Sequence, residues 1–63
     1  MSDLEQMLDS LARINTNKDY NLMDRRLADI DANKVIIYAP RDDQERLRKY
    51  YKERKASYEK DTR

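Results

Sequence analysis

Val35-Ile36-Ile37-Tyr38 is the one stretch of this chain with strand character, and the predicted fold depends on its conformation. β-Branched and aromatic residues favour the pleated backbone. In a strand, Val35 and Ile37 would point to one face and Ile36 and Tyr38 to the other, so both faces would be apolar and buried. The sequence offers no second strand candidate, although a strand needs a neighbour for its backbone groups. The stretch therefore predicts an extended segment that pairs with a strand of another chain.

The residues before this stretch begin with a clear helix signal. Ser2-Asp3-Leu4-Glu5 forms a capping box, in which Ser2 accepts a hydrogen bond from the Glu5 backbone N–H and Glu5 accepts one from the Ser2 N–H. Apolar residues then recur on one face at helical spacing, namely Leu4, Met7, Leu8, Leu11 and Ile14. The pattern predicts a first helix over residues 3–14.

A polar break over residues 15–19 ends this helix. Because the chain has no Gly, Asn15 or Asn17 is expected to terminate the first helix in the left-handed conformation. Asp19 or Asn21 is expected to cap the next helix. A break of this length favours an antiparallel hairpin of two helices.

The second helix is predicted over residues 20–32, with Asn33 as its terminator. Its apolar residues share one face at helical spacing, namely Tyr20, Met23, Leu27 and Ile30. Together with the first helix, it would form the hairpin that precedes the extended segment.

The third helix is predicted over residues 41–60. Pro40 disfavours helical geometry at Ala39, and Asp42-Asp43-Gln44-Glu45 provides an acidic start. One face carries Leu47, Tyr50, Tyr51 and Tyr58, with Arg54 in its middle. The predicted fold class is therefore mainly α, in a single small domain of 63 residues. It comprises a helical hairpin, a short extended or β segment at about 35–38 within an apolar run over 35–39, and a long C-terminal helix.

Composition argues against an enzyme. There is no His and no Cys, which removes the commonest general base and the strongest nucleophile at neutral pH. No cofactor is expected, because a phosphate loop needs glycine and the usual zinc ligands are missing. The acidic start and the lack of a long apolar run predict a cytoplasmic protein that does not enter a membrane.

Contacts with other proteins are the predicted function of two segments. The extended segment would bind through Val35, Ile36, Ile37 and Tyr38. The third helix would bind through Tyr50, Tyr51, Arg54 and Tyr58, because tyrosine and arginine are enriched at binding hot spots. Arg48, Lys52 and Lys55 beside the tyrosines could contact nucleic acid. However, the 14 basic residues of the chain are almost balanced by 13 acidic ones. Such binding would therefore be weak.

Two family resemblances accompany these patterns. Val35-Ile36-Ile37-Tyr38-Ala39-Pro40, followed by Leu47-Arg48-x-Tyr50, resembles the C-terminal half of bacteriophage head–tail joining proteins of the gpW type. That resemblance implies a ring of copies between portal and tail, although the family has a β-hairpin and this chain shows only its second strand. Asp24-Arg25-Arg26-Leu27-Ala28-Asp29-Ile30, with Asn33-Lys34, is similar to a stretch of the Hha/YmoA family, whose members bind a nucleoid-associated silencer.

The favoured hypothesis is a small assembly or adaptor protein, most specifically a phage virion component that forms a homo-oligomer or a subunit of a larger complex. In that case it would occur in the host cytoplasm or the virion. The alternatives are a regulator that docks on a transcription or nucleoid partner, and a weak nucleic-acid-binding protein. The phage and nucleoid hypotheses are what the two resemblances imply, and the third is based on the basic residues beside the tyrosines of the third helix.

Overall fold

Three helices make up the computed structural model, which describes residues 3–61. They are α1 (Asp3–Thr16), α2 (Leu22–Tyr38) and α3 (Arg41–Asp61). The mainly α prediction is confirmed, and no strand occurs within residues 3–61. The predicted capping box depends on Ser2, which lies outside the described residues.

The predicted extended segment is wrong. Helix α2 continues through Asn33 and residues 35–38, and only Ala39 is extended, with φ −72° and ψ 157°. A helix satisfies the backbone N–H and C=O groups of this stretch without a second strand. It also places Ile36 four residues after Ala32, on the face that packs into the core. Burial of that face outweighs the modest helix cost of the β-branched residues.

The break between α1 and α2 is built from side-chain hydrogen bonds. No residue from 3 to 61 has a positive φ, so the prediction of a left-handed Asn is wrong. Instead, the Thr16 hydroxyl donates to the Ala12 carbonyl at 2.8 Å. The Asn17 side chain accepts from the Asp19 N–H at 2.9 Å. The predicted Asn21 cap is confirmed, because its side chain accepts from the Asp24 N–H at 2.8 Å.

Polar side chains form hydrogen bonds across both junctions between helices. Asn15 Nδ2 donates to the Arg25 carbonyl at 2.8 Å, and Arg25 Nε donates back to the Asn15 carbonyl at 3.0 Å. At the end of α2, Gln44 Nε2 donates to the carbonyls of Ile37 at 3.1 Å and Ala39 at 3.2 Å. The carbonyls of Asn15, Ile37 and Ala39 lie at the ends of α1 and α2, where a helix leaves carbonyl groups without a partner.

Helix α1 lies between the other two helices, which contact each other much less. Each helix contributes at least one large side chain to the core, and α1 and α2 also contribute alanines. It consists of Leu8, Ala12, Ala32, Ile36, Ala39, Leu47 and Tyr51. The inward side of α2 thus begins with Ala28 and Ala32, so its larger residues before Val35 remain outside the core.

Candidate protein-interaction surface

The four side chains of α3 predicted to bind a partner lie along its contacts with the other two helices. Tyr51 is buried, and its hydroxyl donates to Asp29 Oδ1 at 3.0 Å. Lys55 Nζ lies 3.4 Å from the same carboxylate and 5.2 Å from the centroid of the Tyr51 ring. Burial, and then the hydrogen bond to Asp29, raise the pKa of Tyr51. The ring and its hydroxyl therefore join α3 to α2.

Asp9, Arg54 and Tyr58 form a second polar cluster, between α1 and α3. Asp9 Oδ1 accepts from Arg54 Nε at 2.7 Å and from the Tyr58 hydroxyl at 2.7 Å. Arg54 NH2 donates to the Tyr58 hydroxyl at 3.0 Å. The Tyr58 ring lies near two guanidinium groups, at 4.9 Å from Arg54 and 5.6 Å from Arg13. One carboxylate on α1 thus holds two side chains of α3.

The hydrogen bonds of this cluster stabilise the ionised forms of Asp9 and Arg54. Burial would raise the pKa of Asp9, but the hydrogen bonds from Tyr58 and Arg54 outweigh it, and the pKa lies below its ordinary value. The pKa of Arg54 is raised, first by its hydrogen bond to Tyr58 and then by Asp9. The folded state therefore prefers ionised Asp9, which links stability to pH.

Asp9→Asn should lower the free energy of unfolding at pH 7 by about 1–2 kcal/mol, because two hydrogen bonds to a charged acceptor are weakened. The Asp9 contribution is fully present above an ordinary Asp pKa of about 3.9. It is lost as the pH falls through the lower pKa of the folded state. Urea denaturation at several pH values should give a smaller loss of stability below pH ~4 for the variant than for the unsubstituted chain. Equal pH dependence in the two proteins would contradict a depressed Asp9 pKa.

The predicted partner-binding residues therefore divide into three groups. Ile36 and Tyr51 are buried, so their prediction as contacts for another chain is corrected. Four residues are partly buried at the edge of the core, namely Val35, Tyr50, Arg54 and Tyr58. Ile37 and Tyr38 are 63% and 85% exposed, and they are open to a partner.

Helix α2 and the turn before it carry most of the exposed apolar surface. Eight large apolar side chains within residues 3–61 are at least 43% exposed, and seven of them lie between positions 20 and 38. They are Met7, Tyr20, Leu22, Met23, Leu27, Ile30, Ile37 and Tyr38. None belongs to α3, and this set is called the apolar face below.

A groove between α1 and α2 adjoins the apolar face. It has a volume of about 730 Å³, and apolar walls from Met7, Leu11, Val35 and Tyr38. Asp3, Gln6, Ser10, Asp31 and Lys34 supply its polar lining. A smaller depression of about 230 Å³ continues along the same two helices and shares Leu11 and Asp31 with the groove. Together they make one long groove on the surface between α1 and α2.

The orientation of α2 explains why sequence analysis missed this surface. The apolar stripe of Tyr20, Met23, Leu27 and Ile30 was expected to pack, but all four side chains are exposed. The helix instead packs through Ala28, Ala32 and Ile36. Apolar residues thus occur on two sides of α2, and this double pattern is the signal that sequence analysis did not use.

Metal chemistry and membrane insertion find no support in the described residues. No group of three or more potential metal-binding side chains comes together within residues 3–61. No helix in that part of the chain has the length and apolar character needed to cross a membrane.

On the basic side of α3, Arg48 and Lys52 are exposed, whereas Lys55 is paired with Asp29.

The chain matches no known protein-family model, and no significant similarity links it to a curated protein or a solved structure. Its function is therefore inferred from the surface described above.

Proposed function

We propose that this protein is a small, non-enzymatic assembly or adaptor protein that binds another protein chain through the apolar face. This proposal is supported mainly by the concentration of exposed apolar side chains on α2. By contrast, the third helix exposes mainly charged residues. Contiguous exposed apolar surface marks sites of protein association. Each such side chain, once fully buried, contributes about 1.5–3 kcal/mol.

The shape of the surface favours a helix or an extended segment over a small molecule. Ligand pockets bury most of their ligand inside walls, whereas Tyr38 beside the groove is 85% exposed. The groove also follows the seam of two helices, as in complexes where an amphipathic helix lies in a hydrophobic groove. Tyr38 and Met7 stand on opposite walls and would contact such a segment first.

A phage virion subunit is the more specific proposal. It is supported by the resemblance of Ala39-Pro40 and Leu47-Arg48-x-Tyr50 to the head–tail joining proteins. Since residues 35–38 are helical, copies in such a ring would associate through side chains of α2 rather than by strand addition. Tyr38, at the exposed end of α2, is the residue we place at that contact.

A photo-crosslinking amino acid at position 38 tests the proposed function in cells that produce the protein. It should yield an adduct with one defined protein, identified by mass spectrometry, whereas the same group at exposed Lys49 on α3 should not. The captured protein should then bind the purified chain, and Met7→Glu should weaken that binding by about tenfold or more, because a charge would enter an apolar contact. Equal adducts from positions 38 and 49, or unchanged affinity for Met7→Glu, would overturn the proposal.

A further inference from the structure

The outward side of α2 has the spacing of a coiled-coil seam. Five positions follow each other at intervals of four, three, four and three residues: Met23, Leu27, Ile30, Lys34 and Ile37. In a seven-residue repeat labelled a to g, they occupy d, a, d, a and d. All five side chains are exposed. They lie away from the buried alanines of the helix, and Leu27 and Lys34 also border the depressions between α1 and α2.

Charges beside this seam are placed for one orientation of a second helix. Arg26 occupies a g position and Asp31 the e position five residues later. In a parallel pair of helices, the g residue of one faces the following e residue of the other. Two identical α2 helices would therefore form two Arg26–Asp31 contacts across the seam. Within residues 3–61, neither side chain forms a salt bridge of its own.

The antiparallel orientation lacks this complementarity. In that orientation, e positions face e positions and g positions face g positions. The e positions hold Asp24 and Asp31, so carboxylates would stand opposite carboxylates. Like charges at these positions weaken a pair and thereby select the other arrangement.

We propose that a second copy of this chain covers α2, in a parallel dimer with a two-fold axis along the seam. The inference deepens the proposed function, on which it rests, by naming the occupant of one part of the apolar face. Met23, Ile30 and Ile37 of each copy meet their own equivalents at the d positions. Leu27 meets its equivalent at an a position.

Lys34 specifies how the two α2 helices align along the seam. It is the one charged residue among the five, and at an a position its stem packs against the partner while its ammonium group reaches water at the edge. In the parallel pair it meets Lys34 of the other copy, which lowers stability, and a single lysine at such a site specifies the register. The seam spans only two heptads. However, α2 is already ordered by α1 and α3, so association does not have to form the helix. We therefore expect a reversible dimer in the micromolar range.

Single cysteines test both the contact and its orientation, because the chain contains no Cys. Under mild oxidation, Met23→Cys and Ile37→Cys should each form a disulfide-linked homodimer, since a parallel axis places equal positions opposite each other. Lys52→Cys on the exposed side of α3 is the matched control and should stay monomeric. Crosslinking only in a mixture of Met23→Cys and Ile37→Cys would show an antiparallel pair and overturn the proposal.

Charge reversal supplies a second test without oxidation. In sedimentation equilibrium, Arg26→Glu and Asp31→Arg should each weaken self-association by about tenfold or more, because two attractive contacts become repulsive. The double variant should recover most of the affinity. A purified chain that stays monomeric at all concentrations, or a double variant without recovery, would overturn the dimer. Capture of a different protein from position 38 would still support the proposed function in that case, so the two failures are distinguishable.

Discussion

Leu47→Ala should remove about 2–5 kcal/mol from the free energy of unfolding. Leu47 is 0% exposed and packs in the cluster shared by all three helices. A chain of 63 residues has a total stability of only about 3–9 kcal/mol at the usual value per residue. The loss should therefore be a large fraction of the total stability, because the cavity would lie where α3 meets the hairpin.

Circular dichroism during urea denaturation measures this loss. The matched control is Leu22→Ala, because Leu22 is the first residue of α2 and is 58% exposed. It should change the free energy of unfolding by about 0.5 kcal/mol or less. Similar losses for the two variants would show that α3 does not use the packing described for it.

Much of α3 could be predicted from the sequence because its signals agree. Leu47, Tyr50, Tyr51 and Tyr58 are its large apolar or aromatic residues on one face, and mostly charged residues fill the rest of the helix. One stripe on an otherwise polar helix leaves a single way to pack. The side chains predicted there do lie along the other helices. What the sequence could not specify is that Asp9 and Asp29 would accept their hydrogen bonds.

The orientation of α2 could not be predicted in the same way. Its sequence contains one stripe of large apolar residues and another based on Ala28 and Ala32, with Ile36 following. Patterns weighted by side-chain size favour the first stripe, whereas the structure buries the second. Ala32 and Ile36 of the buried stripe pack in one cluster with Leu8 and Ala12 of α1. The choice depends on tertiary packing, which no local pattern contains.

The extended segment was predicted from β-propensity, which depends strongly on context. Val35, Ile36 and Ile37 fit a strand with two buried faces only if a neighbouring strand exists. Residues 3–61 contain none. For the same reason the prediction did not separate Ile36, which turns into the core, from Ile37 and Tyr38, which turn outward.

Ile36→Ala and Ile37→Ala should have very different effects, although the residues are neighbours of one type. Ile36 is 2% exposed and Ile37 is 63% exposed. Ile36→Ala should cost about 2–5 kcal/mol of unfolding free energy through the cavity it leaves. Ile37→Ala should cost about 0.5 kcal/mol or less in the monomer. Urea denaturation at concentrations well below the dimer dissociation constant isolates the monomer term.

The same pair separates the helix from the strand that the sequence suggested. A strand buried on both faces would bury both isoleucines, so both substitutions would act mainly on assembly and by similar amounts. In the helix, the two positions are about 100° apart around the axis. Ile36→Ala should therefore destabilise the fold, while Ile37→Ala should weaken self-association and leave the fold intact. Equal losses of assembly with unchanged monomer stability would contradict α2 as described, and with it the seam proposed for the dimer.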